Sequence, residues 1–411
     1  MATVAAGSRA GGARVAWIVV LIALSVLLNY VDRGAIGVAA PIMKSELGLS
    51  ATGFGIAVSA FFWVYAALCL LVGWLCDRFC VYRLFAAGVA IWALSTALTG
   101  FVTGLASLIV LRLFLGLGES ITFPGASKVF ASELPARHRG IANSSLAAAI
   151  AFGPAVGTLA GGSILASVGW RPIFWSFGAA TLLWLVPWWL ASGPLRSARA
   201  ATPAVEPLPF GPLLRVPTLW LIGLLHSLLN YGFYFIVTWL PLYLVNTRGF
   251  SIQQMTLLTT LGFAVQGIGA LVAGRLSDMA VARGVAEGPL RRGLLIGGQL
   301  CVAVGIAGIA FDPALPLLAA CLALAGFGGG FLSTNVYAVG QIFAGPGRAG
   351  AWMGVQNALG NVSGIIGPIV TGLIVDHFGD YRYAFAIAAA LAGLGALLWW
   401  KVVPPIRTLD L

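Results

Sequence analysis

Charged side chains make up only 9 % of this chain, where a water-soluble domain carries about a quarter. That scarcity excludes a solvated surface over most of its 411 residues. Lysine is rarer still, present at positions 44, 128 and 401, and none stands in a Gly-Lys-Ser/Thr order. A Walker-type phosphate loop is therefore missing, and with it the sequence basis for ATP hydrolysis. The cysteines (69, 76, 80, 301 and 321) fall in or beside apolar segments, as packing residues do, and imply no disulfide framework. Three scattered histidines (138, 226 and 377) give no metal-ligand spacing. No nucleophile and base can be combined from these residues, so no enzyme, cofactor or metal is expected.

What remains is apolar: 60 % of the residues are hydrophobic. They come in runs of around twenty, separated by short polar loops, which read as membrane-spanning helices. The runs do not alternate with period two, which argues against a β-barrel. Twelve spans are expected, at 15–42, 53–76, 84–102, 105–130, 140–168, 173–192, 218–245, 252–277, 292–311, 315–342, 351–376 and 383–402. The fold class is an all-α polytopic membrane protein. The first fourteen residues lack an apolar core, so the run from Val15 is a permanent helix rather than a cleaved signal. The longest polar interruption, 193–217, is rich in Pro, Ala and Arg and suits a linker between six-helix bundles at 1–192 and 218–411.

The net charge of +11 has the sign that nucleic acid attracts, but its distribution points elsewhere. Sixteen Lys/Arg fall on the side carrying both termini and four (Lys44, Arg171, Arg248, Arg382) on the other, with Arg33, Arg112 and Lys128 in or near helices. That bias places both termini in the cytoplasm of an inner (plasma) membrane protein. Membrane lipid is the expected surrounding, nucleic acid is not a partner, and a monomer is the expected state.

The two halves repeat. "GWLCDR" (73–78) after the second span is matched by "GRLSDM" (274–279) after the eighth, and Gly169–Arg171 by Gly379–Arg382. An offset of roughly half the chain marks an internal duplication, and pseudo-symmetric bundles with a site between them are a transporter architecture. Gly73, Asp77 and Arg78, with Gly274 and Asp278, form a conformational latch in this reading. The glycines allow close helix approach, and a carboxylate at a helix end can accept from the N-terminus of a neighbouring helix. The alternative is a charged turn that only fixes orientation.

Four charges interrupt the apolar runs. "LLNYVDRGAIGVAAP" (27–41) holds Asp32 and Arg33, and "LRLFLGLGES" (111–120) holds Arg112 and Glu119 on nearly one helix face. Each costs about 2.5–3.5 kcal/mol at the bilayer centre, so they must be paired or hydrated. An anionic substrate docking on either arginine competes with the acids for the same cation, and an acid stripped of its partner takes up a proton. The alternative is a pair of structural salt bridges, which are weak stability devices.

"NYVDR", "SAFFWVYAALCLLVGWLCDR" (59–78), the Arg112-Glu119-Pro124 spacing and "TWLPLYL" (238–244) resemble the anion:cation symporter family of the major facilitator superfamily. That family includes bacterial galactonate and hexuronate transporters and animal sialic-acid and vesicular glutamate carriers. The resemblance implies uptake of a small organic anion, such as a sugar acid or other carboxylate, by proton-coupled symport. It makes Asp32 and Glu119 the proton-coupling groups and Arg33 and Arg112 the partners of substrate and acids. Tyr30 and Tyr65 match the family's aromatic hydroxyls, and Asn357 a polar residue of the second half. Anion exchange and proton-coupled drug antiport are the alternatives.

The sequence departs from the family at four places. Cys80 and Val81 replace a glycine and a basic residue of the loop signature. Ile150 and Val336 stand where galactonate-type carriers have glutamine and tryptophan, which points to a smaller or less hydroxylated anion. Among the second half's polar residues, Asn335, Asn357, Tyr234 and Asn361 are the expected substrate contacts, while His226 is expected to be structural.

Overall fold

The computed structural model describes residues 2–134, 136–199, 210–345 and 348–409. Its helices are α1 (Ala2–Glu46), α2 (Ala51–Arg78), α3 (Val81–Thr99), α4 (Leu105–Glu119), α5 (Thr122–Glu133), α6 (Ala136–Val168), α7 (Arg171–Arg199) and the short α8 (Phe210–Leu213). They continue as α9 (Pro217–Leu242), α10 (Ile252–Ala282), α11 (Glu287–Ile309), α12 (Leu315–Ala344), α13 (Ala349–Gly360), α14 (Val362–Phe378) and α15 (Arg382–Lys401). Together they supply twelve stretches long and apolar enough to cross a membrane, beginning with Val15–Glu46 and ending with Arg382–Lys401.

Two crossings expected as single helices are broken near their middles. The fourth, Leu105–Phe130, bends between α4 and α5 at Ser120–Ile121. Pro124 explains this, because it has no N–H to donate back to Ser120 and its ring crowds that carbonyl. The eleventh breaks between α13 and α14 at Asn361. There the Asn361 amide nitrogen donates to the Asn357 carbonyl at 2.7 Å, a side-chain bond that competes with the helical ladder.

The internal duplication is visible in local structure. Ser50 caps α2 by accepting from the Gly53 N–H at 2.9 Å, and Ser251 caps α10 in a reciprocal box with Gln254. Gly169 (φ +88°) and Gly379 (φ +68°) lie in the left-handed region just past α6 and α14, where a side chain would be strained. Packing repeats as well. α2 lies against α4, α3 against α4 and α7, and α1 against α6. The counterparts follow suit: α10 against α12, α11 against α12 and α15, and α9 against α13. Further contacts join one set to the other, chiefly α1 with α9, α2 with α14 and α13, and α6 with α10. The outer sides expose large apolar residues such as Leu183, Leu190 and Leu317, as lipid contact requires.

These joining helices are tight at one face of the membrane and apart at the other. Away from the termini, a Cβ at Gly55 would sit 2.2 Å from the Pro368 carbonyl oxygen, and one at Gly37 would sit 2.0 Å from that of Val237. Along α2 and the broken eleventh span the gap widens towards the terminal face. A Cβ at Gly364 would meet Phe62 at 2.5 Å, one at Gly354 would meet Cys69 only at 3.9 Å, and one at Gly350 would meet nothing within 4 Å. Between these two spans the molecule is therefore closed at the face opposite its termini and open at the face that carries them.

Candidate functional site

The four intramembrane charges lie near the middles of the first and fourth spans. Arg33 of α1 donates from Nε to Glu119 Oε2 of α4 at 2.9 Å, with Glu119 fully buried and Arg33 nearly so. Four aromatic contacts surround the two arginines. The Arg33 guanidinium lies 5.0, 5.1 and 4.8 Å from the ring centroids of Tyr30, Phe61 and Tyr65, and that of Arg112 lies 5.1 Å from Phe61 on α2. Ring faces hold a desolvated cation by roughly 2 kcal/mol or more, so Phe61 steadies both arginines at once.

Asp32 corrects the expectation that both acids share the arginines with the substrate. It faces α3, where Trp92 Nε1 and Thr96 Oγ1 donate to its Oδ2, the latter at 3.2 Å. The cause is rotation: the neighbouring residue lies about 100° further round a helix, so Arg33 and Asp32 address different neighbours. Trp92 and Thr96 were missed by the sequence reading, although their i, i+4 spacing on an apolar span is the signal that could have found them.

The cluster's hydrogen bonding is incomplete. Asp32 Oδ1, Glu119 Oε1, Arg33 Nη2 and Arg112 Nε are each buried without a partner among the described residues. Such groups normally cost about 1–3 kcal/mol apiece, more when charged.

From the second half, the Tyr234 hydroxyl donates to Asn361 Oδ1 at 2.6 Å, and Asn361 Nδ2 lies 3.3 Å from Asn357 Oδ1. The Tyr337 hydroxyl approaches that same oxygen at 3.5 Å, and Asn357 Nδ2 reaches back across to Cys69 Sγ of α2 at 3.4 Å. The Tyr234 ring sits against Phe62, 4.5 Å between centroids. The expected residues Tyr234, Asn357 and Asn361 thus form one chain beside the charged cluster. Asn335 stands elsewhere. Its Oδ1 accepts from Arg291 at 3.2 Å and its Nδ2 donates to the Phe331 carbonyl at 2.8 Å, so its amide is committed away from the site.

A cavity of about 100 Å³ adjoins the cluster, walled by α9, α10, α11 and α12 and touched by Tyr30 and Ile150 from the first half. Val336 and His226 line it too. His226 is 1 % exposed and packs edge-on to Tyr337 at 5.2 Å. The latch glycines, Gly73 and Gly274, face open space, and Asp278 and Arg78 are exposed. The Asp77 side chain lies outside the described residues.

Twelve crossings built as a doubled set, wrapped around an internal ion pair that no lipid contact explains, define a polytopic membrane transport protein rather than an enzyme. The chain belongs to the Major Facilitator Superfamily, whose family model matches residues 22–286 and 248–410. It is 30 % identical to a probable sulfoacetate transporter of Cupriavidus necator, over 94 % of this chain and 93 % of that one. It is 29 % identical to the hexuronate transporter of Bacillus subtilis, over 95 % and 94 %. Among solved structures it resembles a bacterial homologue of the human lysosomal transporter Spinster in an inward-facing, occupied conformation, with a TM-score of 0.75 at 18 % identity, covering 94 % of this chain and 96 % of that one. It likewise resembles a D-xylose–proton symporter, with a TM-score of 0.75 at 19 % identity and coverage of 96 % and 99 %.

Proposed function

We propose that this chain is a proton-coupled symporter that takes up a small organic anion by alternating access. In this reading two bundles, 1–192 and 218–411, rock about the central site, tethered by a cytoplasmic linker at 193–217. The protein acts as a monomer in the inner membrane with both termini in the cytoplasm, so the open face described above faces inward. The relatives named for sulfoacetate and hexuronate transport support an anionic substrate.

One observation carries the proposal: Arg33 is bonded to Glu119 while Arg33 Nη2 and Arg112 Nε stay buried and unpartnered among the described residues. These two donors are what a carboxylate would accept from. An anion on Arg33 weakens its hold on Glu119, which then binds a proton and becomes a neutral group that can stay buried. Release of the anion on the open side restores the ion pair and expels the proton. Asp32, held by Trp92 and Thr96, is the second proton site. Tyr30, Tyr65 and the Tyr234–Asn361–Asn357 chain orient the rest of the substrate. Gly73, Asp77 and Arg78, with Gly274 and Asp278, latch the terminal face when the opposite face opens.

The test uses proteoliposomes and labelled sugar acids, aromatic acids and short carboxylates. Acidifying the outside should drive accumulation by the wild type. Glu119→Gln and Asp32→Asn should abolish that accumulation yet still exchange labelled for unlabelled anion across the membrane. Wild-type-like accumulation by both variants would overturn the proton-coupling roles. Absence of both accumulation and exchange for every anion would overturn anion transport itself.

A further inference from the structure

The cavity beside the charged cluster has two unlike ends. At one end stands Tyr30, whose ring carries the Arg33 guanidinium 5.0 Å from its centroid. Away from it the wall is hydrocarbon: Phe263 from α10, Val302 and Ile306 from α11, Leu322 and Val336 from α12, and Ile150 from α6. Little of the polar chemistry in that wall is available to a guest. The Asn230 amide nitrogen already donates to the Gly360 carbonyl at 2.9 Å, and the Ser333 hydroxyl to the Gly330 carbonyl at 3.0 Å. The Tyr337 hydroxyl is turned to Asn357 Oδ1 at 3.5 Å, which leaves Gln266 along Gly329, the Tyr30 hydroxyl and the His226 ring as the main polar groups.

We propose that this cavity receives the body of the transported anion, and that this body is compact and apolar: a carboxylate bearing a single ring or a short branched chain. The inference rests on the anion-transport reading above and narrows it to a substrate class. A sugar acid carries a hydroxyl on nearly every carbon, and those that meet the hydrocarbon part of this wall give up water without finding a partner. An apolar body loses nothing there and leaves water behind. The size bounds the body: ≈ 100 Å³ is about two-thirds of the roughly 150 Å³ of a dry apolar cavity that accepts benzene, so nothing larger than a single ring enters. The carboxylate, at the Tyr30 end, then lies on the side of Arg33.

Calorimetric binding to the purified, full-length protein at acidic pH decides the matter, with benzoate, 3-methylbutanoate, acetate and galacturonate as probes. Benzoate and 3-methylbutanoate should each bind about tenfold or more tighter than acetate, and galacturonate more weakly than either. A Cβ at Gly329 makes only ordinary contact, 3.5 Å from Gln266, so Gly329→Leu fills the cavity without a backbone collision. That variant should lose benzoate affinity at least tenfold more than acetate affinity. Galacturonate binding as tightly as benzoate, with proton-driven accumulation intact, would overturn the apolar subsite and leave the transport reading standing. So would an unchanged benzoate-to-acetate ratio in Gly329→Leu. Failure of all four acids to bind or accumulate would overturn both.

Discussion

Asp376 bridges the two sets of helices at the closed face, and removing it should open that face. Its Oδ1 accepts from the Ala51 N–H at 2.9 Å and its Oδ2 from the Thr52 N–H at 2.7 Å. Both donors are in the first turn of α2, where backbone N–H groups lack helical acceptors and the helix dipole favours a negative charge. Because the acceptor sits on α14, the interaction exists only while the second and eleventh spans meet at this face. Once they part, water replaces it. Loss of a comparable cap costs about 0.5–2 kcal/mol, with a charge–dipole share of about 0.3–1 kcal/mol inside that range. At about 1.4 kcal/mol per decade, Asp376→Ala should shift the balance towards opening by roughly twofold to thirtyfold.

The internal cap supplies a control. Ser50 serves α2 from within its own element, so Ser50→Ala frays the helix start in both states and should leave the balance where it is. Spin labels at Ser45 and Asn246, exposed near the ends of the first and seventh spans, would report the separation of the two sets by pulsed dipolar spectroscopy. A growing long-distance population in Asp376→Ala, absent in Ser50→Ala, is the expected outcome. An unchanged distance distribution in Asp376→Ala would refute the reasoning.

Two further substitutions probe the same face. Gly55→Ala places a methyl 2.2 Å from the Pro368 carbonyl oxygen, a backbone atom with little room to retreat; the closed form should lose about 1–3 kcal/mol and transport should fall with it, and wild-type turnover would contradict this. Asp312, in the loop between α11 and α12, has its carboxyl held below the ordinary carboxylate range. Partial burial opposes ionisation there, but the Tyr243 hydroxyl at 2.6 Å and the Arg382 guanidinium at 3.0 Å outweigh it. With the folded value depressed, the stability it contributes is complete above the unfolded value near 3.9 and is lost as pH falls through the lower folded one. The deficit of Asp312→Asn, at most about 1 kcal/mol for so exposed a group, should therefore be constant from about pH 5 to 8 and vanish only in strong acid. Melting curves in which it changes between pH 5 and 8 would refute the assignment.

The spans were legible in the sequence because crossing a bilayer imposes a length and an apolar composition that few alternatives satisfy. Their breaks were legible only in part. Pro124 announces the bend below Glu119, whereas the break at Asn361 depends on a side chain choosing the Asn357 carbonyl, which no composition reveals. Arg33, Arg112, Asp32 and Glu119 stood out because charge is costly in hydrocarbon. Their pairing did not, since helical spacing gives an angle but not the neighbour found at that angle. Trp92 and Thr96 answer Asp32 from α3, and Arg291 claims Asn335 from the start of α11. Ile150 and Val336, noticed in the sequence only as departures from a pattern, both line the cavity.

The balance of charge at the centre has a consequence for how the membrane potential acts on the protein. Each elementary charge moved through it exchanges about 2.3 kcal/mol per 100 mV with the field. With Asp32, Arg33, Arg112 and Glu119 all ionised, the buried group carries no net charge. In the proposed cycle, swinging the empty helices from one side to the other therefore does no electrical work, and the return stroke should run equally fast in energised and de-energised cells. A proton that arrives without its anion unbalances the group by one unit, and the voltage then acts on the moving helices themselves.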